Sequence, residues 1–249
     1  MNCIVIIPAR YGSTRFPGKP LAHLEGKTII ERVYRQAKQA CPNVVVATDD
    51  ERIFEQVKRF GGQAVITSKD HQSGTDRIAE AYRLIDSKDD IVVNVQGDEP
   101  FIQPEQILKL IACFDNPKTD IATLAHPITE GFDNPNWVKV VFSKITGKAL
   151  YFSRSVIPFL RSDNSKNTSK APVYYRHLGI YAYRATVLQQ ITKLPVSPLE
   201  QTEKLEQLRW LENGYNIQIA ITDHASIGID TPEDLKQAND FIKKLKSSF

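Results

Sequence analysis

Directly after a short apolar run, Cys3 to Ile7, the chain reads Pro8-Ala9-Arg10-Tyr11-Gly12-Ser13-Thr14-Arg15-Phe16-Pro17-Gly18-Lys19. Arg10, Arg15 and Lys19 place three cations within ten residues, while Gly12, Gly18, Ser13 and Thr14 let the backbone approach a ligand and turn N–H groups toward it. A triphosphate requires both, because its negative charge must be bound and then stabilised as it moves to the leaving pyrophosphate. The spacing is neither GxxxxGK[ST] nor a GxGxxG that opens directly into a helix. On composition alone, a basic Gly/Pro loop is more often a surface turn. Its place at the carboxyl end of a first strand, where open α/β sheets bind ligands, favours the phosphate reading.

Two acids stand in comparable positions. Asp98 follows the run Ile91 to Val95 in VVNVQGDEP, and Asp230 follows Ile227 to Ile229 in SIGIDTPEDL, read as a further strand. Magnesium takes oxygen ligands, often one or two carboxylates plus phosphate oxygens, so strand-end aspartates could bring it against a bound triphosphate. Asp230 could equally just precede a capped helix, and Asp49 and Asp50 in VATDD serve as well for a metal site as for helix caps.

A second group carries hydrogen-bonding chemistry. Strand alternation through Tyr175 to Arg184 puts Tyr175, His177, Gly179, Tyr181 and Tyr183 on one face, with Leu178, Ile180 and Ala182 facing a core. The first face is a floor for a polyhydroxylated ligand, or a half-buried strand with hydrogen-bonded aromatics. In a helix beginning near Pro198, Glu203, Glu206, Gln207 and Trp210 fall at i, i+3, i+4 and i+7, opposite Leu205, Leu208 and Leu211. Glu206 and Gln207 could bond sugar hydroxyls; a solvated face with a Glu200–Lys204 pair is the competing reading. Arg154, after the strand Ala149 to Phe152, could fork a substrate carboxylate or brace its surroundings.

The elements that must position these residues are an alternation of β-branched runs and helix-length periodic segments, which predicts a parallel sheet with helical crossovers. Strands are expected at Cys3 to Ile7, Val44 to Thr48, Ala64 to Thr67, Ile91 to Val95 and Ile217 to Thr222. Helices are expected near Thr28 to Ala40, Asp50 to Phe60, Asp76 to Ile85 and Pro104 to Phe114, with another after Thr231. Ile29, Ile30, Val33, Ala37 and Ala40 form the stripe of the first helix. Thr231, Pro232 and Asp234 fit an N-cap, an N1 proline and a capping-box acid. From Asp120 to Arg184 the character changes toward strand alternation, with a polar stretch, Arg161 to Pro172, expected as an exposed, mobile loop. The predicted fold is α/β: a Rossmann-like nucleotide-binding domain with a mostly parallel sheet, residues 1–125 and 210–249, plus a smaller α/β lobe, 126–209.

Composition narrows the function. The 249 residues are 41% hydrophobic, enough for a sizeable core. A net charge of +3, from 32 basic and 29 acidic residues, is too balanced for a polyanion binder, so no nucleic-acid partner is expected. The N-terminal apolar run is too short for a signal peptide, no membrane span is expected, and Cys3, Cys41 and Cys113 read as reduced thiols. Together these predict a cytoplasmic protein. A nucleotide-binding scaffold without turnover is the rival from another class.

PARYGSTRFPGKPL, VATDD, HQSGTDRIAE, VNVQGDEP, ALYFSRSVIP, RHLGIYAYR, LEQLRWLENG and GIDTPEDL occur in this order between Ile4 and about Phe241. Each block alone is modestly specific; eight in order are highly so. The chain thereby resembles the CMP-Kdo synthetases, which join CTP to the sugar acid 3-deoxy-manno-octulosonate (Kdo) with magnesium, ahead of lipopolysaccharide assembly. The resemblance implies an α/β nucleotide domain, a smaller lobe for sugar contacts and dimerisation, and a homodimer. It implies phosphate contacts at Arg10, Ser13, Arg15 and Lys19, and a cytidine site at Ala9, Ser73, Gly74, Arg77 and Gln96. Magnesium falls to Asp98 and Asp230, and sugar contacts to His177 and Tyr181. Arg10, Lys19, Asp98 and Asp230 would carry catalysis, by in-line attack of the anomeric hydroxyl on the α-phosphorus without a covalent enzyme intermediate. The stretch 161–172 matches no motif of the family, and close sugar-acid activating enzymes are the nearest rivals.

Overall fold

The computed structural model describes residues 1–161, 173–225 and 228–247. Apart from Arg161, the polar stretch expected as a loop lies outside them. The chain divides into two compact units, residues 1–108 with 226–249, and residues 109–225. The division was expected at 125/126 and 209/210; Ile121–Ile128 and Ile217–Ile221 instead belong to the second unit.

In the first unit the order is β1 (Cys3–Ala9), β2 (His23–Leu24), β3 (Lys27–Thr28), α1 (Ile29–Ala40), β4 (Asn43–Thr48), α2 (Glu51–Arg59), β5 (Ala64–Ile66), α3 (Gly74–Leu84), β6 (Ile91–Asn94) and α4 (Pro104–Ala112), within which the boundary falls. The main strands pair in parallel as β6–β1–β4–β5. Val5, Ile6 and Ile7 of β1 and Ile91, Val92 and Val93 of β6 are fully buried, as runs without polar alternation must be when both sheet faces are covered. The first helices start at side-chain caps: Thr28 Oγ1 accepts the Glu31 N–H before α1, and Asp50 Oδ1 accepts the Arg52 N–H before α2. The α1 stripe closes on Tyr34 rather than on Ala40, which is only half-buried. From β1 the chain moves outward through β4 to β5 and returns to the opposite side of β1 as β6. The carboxyl ends of β1 and β6 therefore flank the point where strand order reverses, the place where open α/β sheets form a crevice.

The second unit holds β7 (Ile121–Ile128), β8 (Lys139–Phe142), β9 (Ala149–Ser153), β10 (Tyr174–Arg184), α5 (Ala185–Ile191), α6 (Pro198–Glu203), α7 (Glu206–Glu212) and β11 (Ile217–Ile221). Here β7 pairs parallel with β11 and antiparallel with β10, while β8 pairs antiparallel with β10 and β9. Strict alternation along β10 fails, because its pairing with β7 shifts between Leu178 and Tyr181. The Thr123 hydroxyl fills the bulge, 3.1 Å from the Leu178 carbonyl and 2.8 Å from that of Ile180. Ile180, Tyr181, Ala182 and Tyr183 are consequently all buried. The helix expected from Pro198 is also two helices, broken where Lys204 takes a left-handed conformation with φ 55°.

The last element, α8 (Pro232–Ser247), returns to the first unit. Its capping box is as expected, with Asp234 N–H donating to Thr231 Oγ1 (3.1 Å) and Thr231 N–H donating to Asp234 Oδ2 (2.8 Å). Gly228 and Ile229, however, are not in a strand, and Ile227 lies outside the described residues. Cys3 and Cys41 sulfurs lie 3.1 Å apart and all three cysteines are free. No helix among the described residues is long and apolar enough to cross a membrane.

Ile6 is wholly inaccessible in the central strand, so Ile6→Ala is expected to lower unfolding free energy by about 3 kcal/mol in urea titration. Ile66, 42% exposed on β5, serves as control, with Ile66→Ala changing it by less than about 0.5 kcal/mol.

Candidate functional site

The crevice at the carboxyl ends of β1 and β6 is a cleft of about 270 Å³. Ala9, Arg10, Ser13, Arg15, Lys19, Ser73, Gly74, Arg77, Gln96, Asp98 and Asp230, the whole expected nucleotide and metal set, line it. They come from four separate stretches of sequence, and the fold brings them to one place.

The loop after β1 is closed by Tyr11, whose carbonyl accepts the N–H groups of Ser13 and Gly18, each at 2.9 Å. Gly18 sits at φ 72°, and a Cβ there would also stand 3.0 Å from the Tyr11 ring, so glycine is required on two grounds. Gly18 starts a single 3-10 turn, Lys19–Leu21, that swings Lys19 inward to 8% exposure. The Lys19 ammonium then donates to Asp98 Oδ2 at 2.6 Å and Asp230 Oδ1 at 3.1 Å. Arg15 reaches the other oxygen of Asp230 at 3.2 Å, but both side chains are exposed and such a pair contributes little. Arg10 is exposed along the cleft wall.

Asp98 and Asp230 thus converge on one cationic point. What joins them is backbone: the Ile229 N–H donates to the Asp98 carbonyl at 3.0 Å, in place of the strand expected before Asp230. Among the described residues no group of three or more His, Cys, Asp and Glu side chains gathers to hold a metal. A carboxylate pair is nonetheless the donor set that magnesium uses when phosphate oxygens and water complete its shell. Asp49 and Asp50 resolve to structural roles, since Asp50 caps α2 and Asp49 binds Arg77.

Across the cleft, Ser73 caps α3, accepting the Asp76 N–H at 3.1 Å and donating to Asp76 Oδ2 at 2.9 Å. Arg77 is buried, with its guanidinium donating to Thr67 Oγ1 at 2.7 Å and Asp49 Oδ2 at 2.8 Å, so it braces this wall. The half-buried amide of Gln96 donates to Asn94 Oδ1 at 3.3 Å. Sequence reasoning missed His71 and Gly97. His71 lines the cleft with Nε2 2.6 Å from Glu80 Oε2. Burial opposes ionisation of Glu80, but the bonds from His71 and the Ser68 N–H outweigh it and hold its pKa below the ordinary value. His71 and Glu80 are nine residues apart, outside the i, i+3 and i, i+4 spacings that flag helical pairs. Gly97 admits the β1 backbone, since a Cβ would lie 2.9 Å from the Pro8 carbonyl oxygen.

The second unit places the expected sugar-contact residues as follows. His177 is half-buried, its ring against Phe152 and Tyr181, at centroid distances of 5.0 and 5.4 Å. Its Nε2 lies 3.0 Å from Thr123 Oγ1, and because that hydroxyl donates into the bulge, Nε2 carries the proton. Burial, with Arg176 adding, drives the His177 pKa down to about 3. Tyr181 is buried edge-on to Trp210 at 5.2 Å, and burial raises its phenol pKa well above the ordinary value. Gln207 Nε2 and Trp210 Nε1 are buried without a hydrogen-bond partner among the described residues. Glu206 lies 3.4 Å from Arg209. Glu200 pairs with Arg209 at 2.9 Å and not with Lys204, which ends α6. Arg154 spends its guanidinium on the carbonyls of Glu203, Pro135 and Lys204, the bracing alternative.

A parallel α/β sheet whose order reverses at a basic loop, with one acid beyond a strand and a second brought beside it by the returning chain, defines a nucleotide-dependent transferase. Residues 4–221 match the model of the cytidylyltransferase family. A 3-deoxy-manno-octulosonate cytidylyltransferase of Bacteroides thetaiotaomicron is 56% identical over 98% of this chain and 99% of its own. One from Parabacteroides distasonis is 54% identical over 97% and 98%. The solved structure of CMP:2-keto-3-deoxy-manno-octonic acid synthetase complexed with CTP is similar at TM-score 0.90 and 42% identity, over 98% of this chain and 99% of that one. The chain belongs to the 3-deoxy-manno-octulosonate cytidylyltransferase family.

Two outcomes follow from the geometry. Gly97→Ala must push Pro8 away from β6 and is expected to cost about 1–3 kcal/mol in urea unfolding. The folded pKa of His177, about 3, lies below its unfolded value of 6.5, so the unfolded chain takes the proton first. The associated stability is present above about pH 6.5 and lost as pH falls toward 3, about 2 kcal/mol of it by pH 5; His177→Gln should flatten that part of the profile.

Proposed function

We propose that this chain transfers the cytidylyl group of CTP to 3-deoxy-manno-octulosonate, releasing pyrophosphate and supplying CMP-Kdo for lipopolysaccharide assembly. The observation that carries the reading is the convergence of Asp98 and Asp230 on Lys19 at the mouth of the basic loop, in a chain of this family. Arg10, Ser13, Arg15 and Lys19 bind the triphosphate. Ala9, Ser73, Gly74 and Gln96 surround the cytidine, where an amide both donates and accepts, and Arg77 holds that wall in place.

Two carboxylates that already share one cation fit a magnesium ion, and Asp98 and Asp230 would hold it. Bound there, the ion would neutralise phosphate charge and lower the pKa of the attacking hydroxyl. Lys19 is released from the acids to the phosphates as CTP binds, and with Arg10 stabilises charge moving to pyrophosphate. The anomeric hydroxyl attacks the α-phosphorus in line; no residue of the chain forms a covalent intermediate. On the sugar side, the buried donors Gln207 Nε2 and Trp210 Nε1 fit a polyhydroxylated ligand, with Tyr181, His177 and Glu206 nearby in the fold of the second unit. Arg154 reaches the carboxylate only by exchanging one of its carbonyl partners. The enzyme works in the cytoplasm, as a homodimer.

Pyrophosphate release is measured over a matrix of nucleotides and sugar acids, including 8-amino-Kdo and sialic acid, with and without magnesium. Strong preference for CTP with Kdo and loss without magnesium are expected; equal turnover of another pair defeats the substrate assignment. Asp98→Asn should nearly abolish turnover with the fold intact, and near-normal release by that variant would remove the metal assignment.

A further inference from the structure

The loop that carries Ser13 and Arg15 is tied to the sheet at one end by Lys19, yet its middle residues are exposed. A second tie comes from an unexpected direction. Arg52, in the first turn of α2, lies with its guanidinium carbon 3.3 Å from the centroid of the Tyr11 ring. Arg52 is not free to wander: Nε donates to Asp50 Oδ1 at 2.9 Å and Nη2 to Asp50 Oδ2 at 2.7 Å, a two-bond fork. Asp50 is itself fixed, because the same Oδ1 caps α2 by accepting the Arg52 N–H at 3.0 Å. The ring held by Arg52 lies against Gly18, and the carbonyl of Tyr11 takes the Gly18 and Ser13 N–H groups. A continuous path therefore runs from the start of α2, through the Tyr11 ring, to both ends of the turn that bears the phosphate-binding side chains.

We propose that Tyr11 and Arg52 form a cation–π clamp that sets the pose of the phosphate loop, making both positioning residues for CTP. Neither lines the cleft or carries a role in the transfer itself. The ring face, not the phenol oxygen, does the holding, since a guanidinium is attracted to the π cloud. Arginine serves better than lysine because its planar group can fork Asp50 and lie over the ring together. The loop's pose matters because oriented cations stabilise a triphosphate without further ordering cost, whereas a loosened loop must be ordered at each binding event.

The inference rests on the reading that this loop holds the triphosphate of CTP, and the test separates the two. Steady-state kinetics and CTP titration calorimetry are run on the full chain and on Arg52→Ala, Arg52→Lys, Tyr11→Phe, Tyr11→Leu and the Arg52→Ala/Tyr11→Leu double variant. Arg52→Ala and Tyr11→Leu should each raise KM for CTP roughly three- to fivefold. KM for Kdo and the melting temperature should be unchanged. Tyr11→Phe should behave as the unaltered chain, Arg52→Lys should fall between, and the double variant should be no worse than either single change. A KM for CTP within twofold in Arg52→Ala, additive effects in the double variant, or equal damage from Tyr11→Phe and Tyr11→Leu each overturn the clamp. A melting temperature that falls in step with KM assigns the pair to folding and overturns it too. Failure of the unaltered chain to bind CTP overturns the loop reading itself.

Discussion

Everything at the cleft depends on one buried cation. Asp98 and Asp230 are separated by more than half the chain, and two carboxylates brought that close repel each other unless positive charge lies between them. Lys19 supplies it, at 10% side-chain exposure, where screening by water is weak. This places three demands on the sequence: a residue able to turn left-handed before Lys19, a strand end that delivers Asp98, and a chain return that delivers Asp230. Gly18, β6 and the Ile229–Asp98 backbone bond meet them. A lone buried ion would be costly, but here the geometry satisfies the ammonium twice.

Much of this architecture can be read before any coordinates. The strands β1, β4 and β6 and helices α1 to α4 emerge within a residue or two of expectation, because their burial is set locally by continuous apolar runs, helical stripes and caps such as Thr28, Asp50 and Ser73. What escapes is whatever depends on a distant partner. The bulge in β10 falls at Gly179 and is filled by Thr123 of β7, so strict alternation assigns Tyr181 and Tyr183 to an open face when both are buried. The break at Lys204 has no glycine or proline to announce it. His71 stands in a recognised block, but its partner Glu80 lies too far along α3 for local spacing to link them.

The two groups of expected functional residues differ in kind. Most of those of the cleft stand in loops, as ligand groups on rigid scaffolds commonly do, with Lys19 and Arg77 buried in its walls. Of those in the second unit, His177 and Tyr181 belong to an aromatic cluster with Phe152, Tyr183 and Trp210, where a neutral imidazole and an un-ionised phenol are enforced by burial. Such groups offer hydrogen bonds rather than charge. The charged groups stand instead in the cleft, at Arg10, Arg15, Lys19, Asp98 and Asp230.

The first unit is discontinuous, taking up the chain again only at residue 226. Because Asp230 arrives only in that resumed segment, the two carboxylates on Lys19 come from stretches of chain that lie on either side of the whole second unit in sequence. Without that segment Lys19 keeps only one of its two carboxylate partners. The charge balance of the cleft is thus tied to both stretches of the first unit: Lys19 and Asp98 come from one, Asp230 from the other.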